Sequence, residues 1–250
     1  MDKVPSIKEL HEKYQKHNAK GLILRSCDFL AVYPAKVLLY FPLTPNQITI
    51  LWIFIKIIAA FFVMTGEYLT SVIAILIFQS ASIIDGSDGI VARVRKHYSL
   101  NGTYIDIFGH YFCNSLILIS IAIGIFRQTG NVWYFVPAGI AVFTFLLAKS
   151  MAINSMWFKN KDEQERINRI IYSENLSLKN EKSKLMTFIF DLLLMDNPFN
   201  IMFWGLLFGY PEVVLWIYAV LLFLEMCRKL FLQFWRIYKE EKASRNQPKL

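Results

Sequence analysis

Six stretches of this chain are each long and apolar enough to cross a bilayer as a helix, and nothing else in the sequence limits its fold as much. A spanning helix needs ~20 mostly apolar residues, because lipid offers its backbone no hydrogen-bonding partner. The stretches run at about 46–64, 68–86, 104–126, 132–154, 187–209 and 211–234, and the fifth is interrupted by Asp196-Asn197-Pro198. Composition agrees. Hydrophobic residues make up 55% and charged residues 18%, where soluble domains run ~25% charged. This argues against a soluble globular enzyme and excludes a disordered chain. The expected fold is an all-α integral membrane protein with six transmembrane helices. Residues 1–41 would form a cytoplasmic juxtamembrane segment, 42–238 the membrane domain and 239–250 a cytoplasmic tail.

The loops orient the spans. Of the 27 Lys and Arg, Lys56 and Lys149 fall inside spans and Arg127 lies in one set of loops; the other 24 all lie on the opposite side. Excess Lys/Arg marks the cytoplasmic face, so both termini are expected there and the span count is even. The same bias accounts for the net charge of +8 without a nucleic-acid partner. Residues 6–41 place Ile7, Leu10, Tyr14, Leu22, Phe29, Tyr33 and Val37 at helical spacings, which predicts an amphipathic helix on the inner leaflet. Such a helix can also cover a cytoplasmic site. The Lys-rich start carries no cleavage pattern, so no signal peptide is expected. Cys27, Cys113 and Cys227 are too few and too far apart for a disulfide scaffold or a zinc site.

Ionisable residues at a membrane boundary are costly unless they are used. One group stands out, running from Asp85-Gly86-Ser87-Asp88-Gly89 to Ala92-Arg93, then from Gly102 to Asp106 and His110. Asp85 and Asp88 share a helix face, as do Asp106 and His110, and the two spans are antiparallel neighbours. Their ends can therefore bring three carboxylates and an imidazole together. Carboxylates that close repel unless cations compensate, and an oxygen-rich set favours Mg²⁺ or Mn²⁺. Gly86, Gly89, Ala92, Gly102 and Gly109 keep the surrounding walls small.

This pattern resembles the signature of the CDP-alcohol phosphotransferase family, D-x2-D-G-x2-A-R-x8-G-x3-D-x3-D. Asp85, Asp88, Gly89, Ala92, Arg93, Gly102 and Asp106 all match. Thr44-Pro45-Asn46-Gln47-Ile48-Thr49 resembles the T-P-N-x-[IL]-T segment that opens the family's first span. The resemblance implies a CDP-linked donor, an acceptor alcohol or lipid, release of CMP, a homodimer in the membrane and a role in phospholipid synthesis. It implies that Asp85, Asp88 and Asp106 hold a divalent metal, and that Asn46, Gly86, Gly89, Ala92, Arg93 and Gly102 line the CDP site.

The last motif aspartate is His110 here. By resemblance that position helps hold a second metal and serves as the base for the attacking hydroxyl. Imidazole can do either job but not both through one nitrogen. An impaired site is the third reading. Arg93 is read either as a partner of a motif aspartate or as a substrate contact. Lys56, near mid-span, is expected to face a polar cavity or to pair with Glu225 or Asp196. With Asp196 and Asn197 it would shape the acceptor cavity. Lys149 is expected to snorkel, and His11, His17 and His97 to lie at the surface. Two rival functions are a small transporter using Lys56, Asp196 and Glu225, and a non-catalytic member that binds a cytidine nucleotide.

Overall fold

A computed structural model of the chain describes residues 4–14, 22–97, 99–154 and 200–245. Every regular element among them is helical. A single helical turn, α1 (Ile7–Glu9), runs into a π-helical turn at Leu10–Tyr14. It is followed by α2 (Leu22–Leu38), α3 (Pro45–Val63), α4 (Tyr68–Arg95), α5 (Leu100–Thr129), α6 (Phe135–Asn154), α7 (Ile201–Leu207) and α8 (Pro211–Arg245). Four segments are long and apolar enough to cross a membrane: α3, α4, α5 and Val132–Ser150, which contains most of α6. The expected fifth span coincides with α7 only at its end, since residues 187–199 lie outside the described residues. The expected sixth is contained in α8.

Large apolar side chains point outward along these helices. Phe54 and Phe61 of α3 and Leu69 and Ile73 of α4 are all half or more exposed. Beneath them, Trp52, Phe78, Ile117, Leu118 and Tyr218 pack into one buried core. A molecule with apolar side chains on both its inside and its outside is built for lipid. The chain is an integral membrane protein.

α4 and α5 are longer than the sequence reading expected. At ~1.5 Å per residue, 28 and 30 residues reach ~42 and ~45 Å, against ~30 Å of hydrocarbon. α4 continues through the aspartates and stops only at Lys96, whose backbone is left-handed (φ 52°). Ser99 then caps α5, accepting from the Gly102 N–H at 2.9 Å. The motif therefore lies on two helix ends joined by a tight connection.

The N-terminal segment packs on those ends. Leu10, Ala31, Val32 and Ala35 bury against Ile48 of α3 and Ile90 and Val91 of α4. Lys36 Nζ reaches the Pro5 carbonyl at 2.5 Å. Arg95 donates to the carbonyls of Phe41 (2.5 Å) and Leu43, closing the turn after α2. One face of α2 is thus occupied by protein, while Phe29, Tyr33 and Val37 stay exposed. Between Leu10–Tyr14 and α2, residues 15–21 lie outside the described residues, so helical structure is seen on either side of them rather than across all of 6–41.

Candidate active site

The start of α3 shows how the Thr44–Thr49 segment works locally. Thr44 Oγ1 accepts from the Gln47 N–H at 3.4 Å, and Gln47 Oε1 accepts from the Thr44 N–H at 2.8 Å. This is a reciprocal capping box, with Pro45 at the first helical position where no N–H is needed. Asn46 Nδ2 then donates to Ser99 Oγ at 3.1 Å. A Cβ on Gly102 would stand 2.4 Å from Asn46 Oδ1, so only glycine lets the starts of α3 and α5 approach this closely. Thr49 Oγ1 donates to Asp88 Oδ2 at 2.7 Å and fixes α3 against α4.

These junctions bring the acidic residues together. His110 Nε2 lies 3.3 Å from Asp85 Oδ2 and 3.5 Å from Asp106 Oδ1. One ligand atom from each of these three residues falls within 4.8 Å of the others. The Asp85 side chain is 16% exposed and that of Asp106 38%, so the group is partly sheltered yet reachable. The His110 ring rests 5.0 Å from the Trp52 ring, next to Gly109. A Cβ on Gly109 would strike Ile53 at 2.4 Å and Trp52 at 2.7 Å. Without that glycine the imidazole would be held away from α3.

The spacing suits a cation. Two carboxylate oxygens and an imidazole nitrogen this close leave negative charge that their own hydrogen bonds do not cancel. Such donors fit a divalent ion of the Mg²⁺ or Mn²⁺ type, with nitrogen moving the preference toward Mn²⁺. Asp88 stands apart from this trio, held by Thr49, with the buried Trp52 indole nitrogen beside it.

The other expected residues fall in several places. Gly86 faces Ala31 of α2, and Gly89 lies against the Arg93 guanidinium at 3.3 Å. Arg93 Nε donates to the Tyr14 carbonyl of the N-terminal segment. Asn46 and Gly102 meet at the junction of α3 and α5. Lys56 is completely buried between Trp52 and Phe78. Glu225 pairs with Arg228 at 2.8 Å and Lys229 at 3.8 Å on its own helix. Lys149 lies over the Tyr111 and Phe145 rings. Asp196 and Asn197 lie outside the described residues. Trp52 and Ser99 were not singled out from the sequence. Their signal was weak, since one reads as core and the other as a helix cap.

A family model for CDP-alcohol phosphatidyltransferases matches residues 42–224. The chain belongs to this family. The matched region takes in both the capping segment and the aspartate cluster. The chain also resembles a ceramide phosphoethanolamine synthase of Drosophila melanogaster, with 32% identity over 36% of this chain and 24% of the relative. It resembles a bifunctional IPC transferase and DIPP synthase of Archaeoglobus fulgidus, with 30% identity over 43% of this chain and 21% of the relative. The chain thus spans only about a quarter or less of the length of each of these relatives.

Proposed function

We propose that this protein is a membrane transferase that moves a substituted phosphate group from a CDP-linked donor to an acceptor alcohol, with release of CMP. The product is a phospholipid or a related lipid. Family membership supports the reaction class. The observation that carries the reading is the convergence of Asp85 from α4 with Asp106 and His110 from α5, their ligand atoms within 4.8 Å of one another. Asp88 lies 20 residues from Tyr68, or ~30 Å along α4, which is the thickness of the hydrocarbon core. A donor with a charged diphosphate and a lipid-borne partner can meet at this level without either leaving its own medium.

Asp85, Asp88 and Asp106 would hold a divalent cation, Mg²⁺ or Mn²⁺, which when bound offsets the charge of the donor diphosphate and of departing CMP. The protein supplies position and charge. Asn46 and Ser99 fix the helix starts with Gly102 between them, Thr49 aims Asp88, Gly86 admits α2 alongside, and Gly89 and Ala92 would border the nucleotide beside Arg93. His110 accepts the proton of the acceptor hydroxyl as it attacks the phosphorus distal to cytidine. A second reading has its own support. His110 Nε2 faces both Asp85 and Asp106, which is where a third metal ligand would stand.

The topology belongs to the same proposal. Six spans place both termini, the motif and the loop at 155–186 in the cytoplasm, as the distribution of Lys and Arg supports. Asp196 and Asn197 would border the acceptor cavity.

The test is CMP release by purified protein, with CDP-linked donors screened against candidate alcohols and with EDTA as control. Metal-dependent release that needs both substrates is the expected result. Failure of every pair would favour the non-catalytic reading.

A further inference from the structure

Lys56 is the one charged side chain among the described residues with no solvent exposure at all. Its ammonium has three protons to donate, yet Nζ has no hydrogen-bond partner among those residues. It lies 4.7 Å from the Trp52 ring centroid and 5.0 Å from that of Phe78. Aromatic faces attract a cation but do not replace its hydration, and a bare ammonium within a spanning helix is expensive. A counter-charge is needed close by.

Helix geometry supplies one. The Thr49–Asp88 hydrogen bond sets α3 against α4 in antiparallel register. From that level Lys56 lies about seven residues, ~10 Å, deeper along α3. Asp85 lies about three residues, ~4.5 Å, deeper along α4. Helical side chains lean toward their own N-terminus, so the long lysine stem reaches back down α3 and brings its head to the level of Asp85. Trp52, which carries the ammonium on one side, lies against the His110 ring at a tilt of 38°, and His110 Nε2 is 3.3 Å from Asp85 Oδ2.

We propose that Lys56 is a built-in cation of the aspartate cluster, compensating its membrane-facing side at Asp85 so that the cluster takes up a single divalent ion. The inference rests on the reading of the cluster as a cation site. A metal ion binds its ligands deprotonated, so in the metal-bound form Asp85, Asp88 and Asp106 would bring three negative charges and His110 none. One ammonium leaves two, which one divalent ion matches. An immobile charge also cannot be lost to a chelator, so one third of the cluster's compensation persists when metal is removed.

The experiment is a Mn²⁺ titration of the full-length protein in nanodiscs, with free Mn²⁺ followed by electron paramagnetic resonance. Wild type should bind about one ion per chain. Lys56→Met and Lys56→Gln should either bind a second ion or bind the first at least about tenfold more tightly, since a repelling charge is gone. Lys56→Arg keeps the charge and should retain the wild-type stoichiometry. Two ions bound to wild type would overturn the proposal, a result that needs no variant to fold. So would a folded Lys56→Met or Lys56→Gln protein that binds Mn²⁺ as wild type does. No Mn²⁺ bound to any of the four proteins would instead overturn the cation site itself.

Discussion

Asn matches the size of Asp and keeps one accepting oxygen, so Asp85, Asp88 and Asp106 should each be replaceable by Asn without loss of fold. The Asp85→Asn, Asp88→Asn and Asp106→Asn variants are expected to insert normally and to lose transfer activity entirely. Size-exclusion profiles and CMP release check this, and activity surviving in two of the three would remove the metal-based reading. His110 separates its two roles by a different measurement. As a base it works only when neutral, so activity should fall on the acid side of the pH profile. His110→Ala should then cost ~10²–10⁴-fold in turnover with little change in metal requirement. His110→Asp should stay active and extend the profile to lower pH, because a carboxylate remains ionised there. As a ligand, His110→Ala should instead weaken metal affinity, and His110→Asp should shift preference toward Mg²⁺. A flat profile with an active Ala variant would remove His110 from the chemistry. Helical spacing put Asp85 with Asp88 and Asp106 with His110 on shared faces; the structure brings Asp85, Asp106 and His110 together, with Asp88 apart on Thr49. The partners that aim them, Thr49 and Trp52, were not legible as such, since a hydroxyl or an indole on an apolar helix reads equally well as core.

The apolar pattern revealed α3 to α6 but misplaced two ends. It stops at about 86 and resumes at about 104, whereas α4 runs to Arg95 and α5 begins at Leu100. Carboxylates and glycines end a hydropathy signal without ending a helix, because the backbone hydrogen bonds continue regardless of what the side chains face. The N-terminal region was read as able both to lie on the leaflet and to cover the site; periodicity announced its apolar face but not which side chains would meet protein, and Ala31, Val32 and Ala35 meet Ile90 and Val91 while Phe29, Tyr33 and Val37 stay exposed. The junction between the starts of α3 and α5 yields a prediction. A methyl group on Gly102 would stand 2.4 Å from Asn46 Oδ1 and 2.9 Å from Ser99 Oγ. Gly102→Ala should therefore push Asn46 off Ser99 and lower stability by roughly 1–3 kcal/mol, as overpacking does. Thermal unfolding in detergent would measure it. Thr44→Ala removes one half of the capping box and should cost about 1 kcal/mol in the same assay. A Gly102→Ala protein as stable as wild type would mean that the two helix starts separate freely.

The distribution of Lys and Arg carries a prediction about orientation in the membrane. Arg93 and Arg95 lie at the end of α4 that carries the aspartates, and α8 ends among Arg228, Lys229 and later basic residues. The opposite turns hold Arg127, whose Nη1 donates to the Met64 carbonyl at 3.3 Å. If Lys and Arg excess decides which end stays in the cytoplasm, the aspartate cluster opens there, where a water-soluble nucleotide donor is available, and the turn at 64–67 faces the other side. Single cysteines introduced at residues 66 and 160, in a protein otherwise free of exposed cysteine, should then react with a membrane-impermeant maleimide from opposite sides of sealed vesicles. Cys227 is exposed among the described residues and has to be replaced first. Labelling of both positions from one side would take away a span between α3 and the loop at 155–186. Labelling with the sides exchanged would point the cluster outward, away from the nucleotide donor, and the transferase reading would lose its substrate.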